Sequence, residues 1–425
     1  MTVVGRLIGS LLKRGQITLI TPDGKRASYG PGSGKSLTIR VTDRRVLFEL
    51  VRNPRLAIGE TYMNGRLMIE DGTILDLLEM VVGNNPWEDG GNNRKVIKKG
   101  KKRFKWLFHR NRAGRSKRNV AHHYDLKDEL YELFLDDDRQ YSCAYFTDPS
   151  NSLEQAQADK KAHIAAKLNL KSGQRVLDIG CGWGGMALYL HRVAGVDVTG
   201  ITLSEEQLKV ARRRAEETGV SDHVRFELID YRSVSGTFDR IVSIGMFEHV
   251  GAPHYVEFFA KCRELLAEDG VMLLHTIGKY GGAGAPDPFT DKYIFPGYHV
   301  PSLAQMVSAS EKVRLIASDV ETLRLHYGYT LRHWLHRATE ARAQIVAMYD
   351  ERFFRMWEFY LAGGIVAFEN GAMNNYQIQY IRNRRALPIT RDYMIDDERR
   401  LRAGGIEKAR RSAPGPRRAK AKETA

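Results

Sequence analysis

Gly180, Gly182 and Gly184, spaced every second residue within the stretch 176–188 (Val-Leu-Asp-Ile-Gly-Cys-Gly-Trp-Gly-Gly-Met-Ala-Leu), are the residues whose spacing most directly implies chemistry. The apolar run before them, which ends at Asp178 and Ile179, reads as a buried strand, and the residues after them read as a helix. A glycine turn between the two lets backbone approach a ligand closely, while the helix start offers unpaired N–H groups and the positive end of its dipole. A plain strand-to-helix corner uses the same residues, so neighbouring segments must decide. A nicotinamide site would place an acid at the end of the next strand to hold ribose hydroxyls. Residues 198–207 read Val-Thr-Gly-Ile-Thr-Leu-Ser-Glu-Glu-Gln, without that acid, which argues against a dehydrogenase and equally against a generic methyltransferase. Thr202 and Gln207 are candidates to replace its hydrogen bonds, and Ser204 is equally compatible with an ordinary helix N-cap.

Cys143, Glu248, His249 and His275 form a second set of reactive types. Each is a possible zinc ligand, but no closely spaced pair such as C-x-x-C occurs among them. Taken singly, Cys143 suits a small buried hydrophobe, and a histidine ending a strand is often only hydrogen-bonded.

From Arg175 onward apolar strands and amphipathic helices alternate: strand to Ile179, helix, strand Asp197 to Ile201, helix Glu205 to Thr218, strands Val224 to Ile229 and Phe238 to Ile244, helix, strand Val271 to Ile277. This predicts an α/β fold with a parallel sheet covered on both faces. In such sheets ligands sit beyond the carboxyl ends of the strands, where strand order reverses. A helix over Leu153 to Leu168 leads into the glycine turn. After a glycine- and proline-rich loop, Tyr280 to Pro301, come a strand near Leu315, helices from about Thr330 to Gly371 and a last strand, Tyr376 to Arg382. Residues 16–85 read as a small α+β domain, with strands at Ile17 to Ile20, Ser36 to Val41 and Val46 to Leu50, a turn at Pro22-Asp23-Gly24, and Ile74, Leu77, Leu78 and Val81 at helical spacing. Gly32 to Ser36 lacks the spacing of a P-loop. The expected organisation is therefore 1–85, an N-terminal α+β domain; 86–119, a basic linker; 120–395, the sheet domain; and 396–425, a basic disordered tail.

A chain of 425 residues, 43% hydrophobic, fills more than one domain. Its three cysteines, Cys143, Cys181 and Cys262, make no disulfide framework and fit a reducing compartment, the cytoplasm. Met1 to Ile20 has helical rather than secretory spacing, and no apolar run is long enough to span a bilayer, so membrane contact is expected to be peripheral. The net charge of +15 is concentrated in the tail and in Arg94 to Arg118, which holds thirteen Lys or Arg and no acid. A solvated linker has such a composition too. Phe104, Trp106, Leu107 and Phe108 among the cations suit a lipid headgroup boundary, where each cation contributes about 1 kcal/mol near an anionic surface. Nucleic acid is not expected, because neither a stacking platform nor a helix-turn-helix signature is evident.

The motifs His123-Tyr124-Asp125, Tyr141 to Phe146, Leu177 to Gly185, Gly200 to Gln207, Gly245 to Gly251, His275-Thr276-Ile277-Gly278, Ile294-Phe295-Pro296-Gly297 and Arg324-Leu325-His326-Tyr327 occur in this order. With them the chain resembles the cyclopropane-fatty-acyl-phospholipid synthase family over about residues 120–385. The resemblance implies a class I methyltransferase fold, a Rossmann-like and mostly parallel seven-stranded sheet with helices on both faces. It implies S-adenosyl-L-methionine bound by Tyr141, Ser142, Asp178, Gly180, Gly182, Thr202, Leu203, Gln207 and Tyr231. It also implies a bicarbonate ion, rather than a metal, held by Cys143, Glu248, His275 and Tyr327 with the backbone of Ile277, and a homodimer. The expected reaction is methylene transfer to the cis double bond of an unsaturated acyl chain in a membrane phospholipid. An alkene attacks a sulfonium methyl without prior deprotonation, and the resulting carbocation needs shielding from water by π faces, with Tyr124, Tyr145, Phe146, Phe247 and Phe295 as candidates. Methyl or methylene branching of the same chains, or a non-catalytic lipid-binding module, are the alternatives. Tyr298-His299 and Gly363-Gly364-Ile365-Val366 depart from the family pattern, which bears on acyl specificity.

Overall fold

The computed structural model describes residues 11–90 and 126–412 except Ala283 and Ala285, together with Gly5 and Gly9. The basic block at Arg94 to Arg118, the motif His123-Tyr124-Asp125 and residues 413–425 lie outside the described residues.

Within residues 11–90 the elements are β1 (Gln16–Ile20), β2 (Arg26–Tyr29), β3 (Ser36–Val41), α1 (Arg44–Arg52), α2 (Pro54–Met63), β4 (Leu67–Ile69) and α3 (Ile74–Gly83). The sheet runs β2-β1-β3-β4, with β1 and β3 parallel and the outer pairs antiparallel. Period-two burial places Ile17 and Leu19 of β1, and Leu37, Ile39 and Val41 of β3, in the core. Val46 to Leu50, expected as a strand, lies in α1. Asp43 caps this helix by accepting from the N–H groups of Arg45 and Val46. An unbroken apolar run fits either structure, and the cap decides it.

The larger unit comprises α4 (Asp128–Glu132), α5 (Leu153–Leu168), β5 (Arg175–Ile179), α6 (Gly185–Ala194), β6 (Asp197–Thr202), α7 (Glu205–Glu217), β7 (Val224–Leu228), β8 (Phe238–Ile244), α8 (Tyr255–Leu265), β9 (Leu266–Lys279), α9 (Pro288–Tyr293), α10 (Leu303–Lys312), β10 (Ile316–Thr322), α11 (His326–Glu340), α12 (Arg342–Met348), α13 (Glu351–Glu369), β11 (Met373–Ile381) and α14 (Asp392–Ser412). The seven strands lie in the order β10-β11-β9-β8-β5-β6-β7, and only β11 runs antiparallel to its neighbours. Both faces are apolar, as a doubly covered sheet requires: Val176, Val198, Val242 and Leu273 pack against α5, α6 and α7, while Leu177, Ile241, Met272 and Leu274 face α8 and α10. Strand order reverses at β5, with β6 and β7 to one side and β8 and β9 to the other, so a crevice opens beyond the carboxyl ends of β5 and β8.

The two units share a core. Leu77 and Leu78 of α3 cluster with Phe289, Phe359, Ala362 and Val366 of α9 and α13. A Cβ on Gly59 of α2 would stand 2.4 Å from the Phe289 ring and 2.7 Å from the Phe359 ring, so only a glycine seats α2 this closely. At the other end the chain stays helical past residue 395, where the tail was expected to begin. Glu398 reaches His163 and Arg402 reaches the buried carboxylate of Asp159, so charged residues that suggest a tail are anchored on α5.

Candidate active site

The glycine turn leaves β5 with Gly180, Gly182 and Gly184 at φ of +85°, +55° and +81°. A Cβ on Gly180 would lie 2.9 Å from the Met246 Cβ and one on Gly184 2.6 Å from the Phe226 ring, so these two glycines allow close packing. A Cβ on Gly182 would meet nothing within 4 Å, because this residue faces the cleft itself. All nine residues expected to hold the methyl donor line this one cleft. Thr202 donates to Gln207 Oε1 at 3.0 Å, and Ser204 caps α7, so the N-cap and the polar pair coexist. Tyr141 stacks on Trp334 with ring centroids 5.1 Å apart and brings its hydroxyl 3.3 Å from that of Tyr360. Tyr231 packs edge-on against Phe258.

Asp178, buried at the end of β5, has its Oδ2 without a hydrogen-bond partner, and burial pushes its carboxyl up to about 7. The charge that opposes this shift is Lys160 of α5. Lys160 is fully buried, donates to Gln140 Oε1 at 2.6 Å and Ser142 Oγ at 2.9 Å, and is drawn down to about 8 by burial. Its charge also reaches Cys143 and His275. Sequence reading missed Lys160, since a lysine inside a helical pattern has the same letter whether it faces water or the core.

None of the five expected catalytic residues forms the cleft wall; they lie beside it. Cys143 follows Ser142, and Glu248 lies between the wall residues Met246 and His249. The Ile277 N–H donates to Glu248 Oε1 at 2.6 Å, while Glu248 Oε2 is buried without a partner. Burial pushes the Glu248 carboxyl up to about 7, and the Ile277 N–H partly offsets it. The His299 backbone N–H donates to the Glu248 carbonyl at 3.0 Å and braces the Glu248 turn, a bond that does not depend on the side chain at this position. Cys143 donates to the Ala144 carbonyl, and burial pushes its thiol up, which keeps it protonated. His275 is held neutral by burial between Asn375 and Gln377 of β11, two partners the sequence did not announce. Tyr327 of α11 packs against Trp334 and Phe368. Among the described residues no group of three or more His, Cys, Asp or Glu is placed to hold a metal ion.

The aromatic residues divide by position. Phe295 joins Tyr360 and His249 beside the cleft. Tyr145 instead stacks between His163 and His326, Phe146 packs on His333, and Phe247 is core against Tyr255 and Phe258. Trp334 and Tyr360, which the sequence left unmarked among long apolar helices, are the aromatic residues that meet Tyr141 of the cleft. Gly364 lets α13 approach α11, since a Cβ there would lie 3.0 Å from Leu331.

This sheet order, with a cleft at its switch point, is that of the class I S-adenosylmethionine-dependent methyltransferases, and the chain is such an enzyme. The profile of the mycolic acid cyclopropane synthetase family matches residues 111–378, more than half of the chain, which belongs to that family. Residues 11–86 match a profile described only as a domain of unknown function. The chain is 35% identical over 389 residues to a probable fatty acid methyltransferase of Pseudomonas putida, covering 88% of this chain and 94% of that protein. It is 43% identical over 260 residues to the cyclopropane-fatty-acyl-phospholipid synthase of Escherichia coli K12, covering 61% of this chain and 66% of that one. Among solved structures, the mycolic acid cyclopropane synthase CmaA1 complexed with SAH and CTAB superposes with a TM-score of 0.60 at 33% identity, covering 62% of this chain and 97% of that one. The enzyme is thus a lipid cyclopropane-forming or methyl-transferring member of the class. Among the described residues no helix is long and apolar enough to cross a membrane.

Proposed function

We propose that the enzyme transfers a methylene group from S-adenosylmethionine across the cis double bond of an unsaturated acyl chain in a membrane phospholipid. The observation that carries this reading is the buried, unpartnered Oε2 of Glu248. A carboxyl held near 7 offers an O–H to an anion instead of repelling it. A protonated Cys143 thiol and a neutral His275 ring would complete a set that suits a small oxyanion. Cys143, Glu248, His275, Tyr327 and the backbone of Ile277 would hold bicarbonate, which when bound supplies a base for the proton lost in ring closure. The nine residues of the cleft would hold S-adenosylmethionine, which supplies the electrophilic methyl. The unpartnered Asp178 carboxylate and the open face at Gly182 fit a polar ligand there. The chain's own contribution would be alignment of alkene and donor, and an aromatic cluster of Tyr141, Trp334, Tyr360 and Phe295 that would shield a developing cation from water.

The small unit would bring the cleft to the bilayer as a lipid-docking domain. Arg44, Arg45, Phe48, Val51, Arg52 and Arg55 recur at three- and four-residue spacing along α1 and the start of α2, with Phe48 65% and Val51 44% exposed. Cations around exposed apolar side chains suit an anionic headgroup surface, in company with the basic block 94–118, on the cytoplasmic face of the membrane. A second reading, branching of the same acyl chains, is favoured by the name and 88% coverage of the Pseudomonas putida relative. Expression in a host lacking the activity, followed by mass spectrometry and gas chromatography of its lipids, separates these. Unsaturated chains that gain one CH2 and elute as cyclopropanes support the first reading, branched products support the second, and unmodified lipids with no S-adenosylmethionine binding by calorimetry refute both.

A further inference from the structure

His275 sits on β9 opposite Gln377 of β11, and Ile277 sits opposite Asn375. Both ring nitrogens of His275 meet amides: Nδ1 lies 3.1 Å from Gln377 Nε2, and Nε2 lies 3.1 Å from Asn375 Nδ2. A neutral imidazole has one N–H and one lone pair, so the two amides must present opposite ends to it. Gln377 has no freedom to turn over, because its Oε1 accepts from Lys167 Nζ at 2.9 Å and an ammonium group only donates. Gln377 Nε2 therefore donates to Nδ1, and the ring proton belongs on Nε2. Asn375 meets that proton with its carbonyl oxygen when its amide is turned over. Its Oδ1 is otherwise buried without a partner, so a single turn satisfies both groups.

We propose that Gln377, clamped by Lys167, is a positioning residue that fixes His275 in its Nε2–H form, a donor that Asn375 Oδ1 holds in the ligand-free protein and would share with the proposed anion. The donor edge lies on the Asn375 side, two register positions along toward Ile277, whose N–H holds Glu248. The clamp is itself anchored: Lys167 also donates to Glu321 of β10, which lies 2.7 Å from His163 Nε2, while His163 Nδ1 lies 2.8 Å from Glu398 of α14. The inference rests on the anion reading given under the proposed function, but its first test does not require turnover.

The test is the ¹⁵N spectrum of histidine-labelled full-length protein, with His275 assigned by the resonances lost in His275→Gln. A lone-pair shift at Nδ1 and a protonated shift at Nε2 are expected, and the reverse tautomer or an even mixture overturns the proposal. Gln377→Glu keeps the shape and the Lys167 contact but replaces the donor by an acceptor. It should move the proton to Nδ1 and lower kcat by about 100-fold while KM for lipid vesicles and affinity for S-adenosylhomocysteine stay put. An inverted tautomer with unchanged kcat overturns the positioning role. If Gln377→Glu fails to fold, the wild-type spectrum still decides the tautomer. Absence of any lipid product from wild type refutes the proposed function and leaves the spectrum to be judged separately.

Discussion

Glu248→Gln removes a titration that burial has displaced. The carboxyl, ordinarily 4.5, is pushed up to about 7 in the folded protein. Below pH 4.5 folded and unfolded chains both carry the proton, and no penalty arises. Between 4.5 and 7 the folded state binds more protons than the unfolded one, so stability falls as pH rises; above 7 the buried charge exerts its full cost. A displacement of roughly 2.5 units at about 1.36 kcal/mol each corresponds to about 3 kcal/mol. Glutamine carries no charge at any of these pH values and still offers an oxygen to the Ile277 N–H. The melting temperature of the variant relative to wild type should therefore climb between pH 4.5 and 8 by roughly 5 °C, read by differential scanning calorimetry of the ligand-free protein. At the same time kcat should drop by about 100-fold, with affinity for S-adenosylhomocysteine retained. A melting difference that is flat with pH, or that favours wild type as pH rises, would refute the burial argument for this carboxyl.

Other substitutions probe the rest of the site. Lys160→Met should weaken S-adenosylhomocysteine binding by about tenfold in calorimetry, because Gln140 and Ser142 each lose the buried donor that holds them at the cleft wall. Gly182→Ala and Gly184→Ala should separate by readout. Both strain a positive φ by about 1–2 kcal/mol, but only at Gly182 does the methyl enter the cleft, so this variant should lose donor affinity, while Gly184→Ala collides with Phe226 and should mainly lower the melting temperature. Phe48→Ser with Val51→Ser should reduce sedimentation with anionic vesicles, and raising salt should release wild type as its cations are screened; unchanged binding would move the docking face away from α1.

The glycine turn was legible because its parts are local: a strand, a turn and a helix start are contiguous at Val176 to Leu188, and the missing acid lies one strand further on, whereas Tyr141, Ser142 and Tyr231 of the same cleft were named by resemblance. The set at Cys143, Glu248, His275 and Tyr327 was not legible in that way. Those residues are dispersed along the chain on a loop, a turn, a strand and a helix, so no local pattern links them and family resemblance alone named them. Lys160, Asn375 and Gln377 escaped even that, because a polar residue on a buried helix or strand has no sequence mark to separate it from an exposed one. The misreading of Val46 to Leu50 has another cause: the apolar run was ambiguous, and the Asp43 cap that makes it helical was overlooked. At the C-terminus, charge density suggested a tail, whereas Glu398 and Arg402 find buried partners on α5 that composition does not reveal.

The central claim is that a proton leaves the transferred methyl group as a ring closes. Incubating the purified enzyme and unsaturated phospholipid vesicles with S-adenosylmethionine carrying a fully deuterated methyl group measures this directly by mass spectrometry. The account predicts a cyclopropane that has lost one deuterium from the transferred group. A product that keeps the whole deuterated methyl as a branch, or lipid that receives no label, would contradict it.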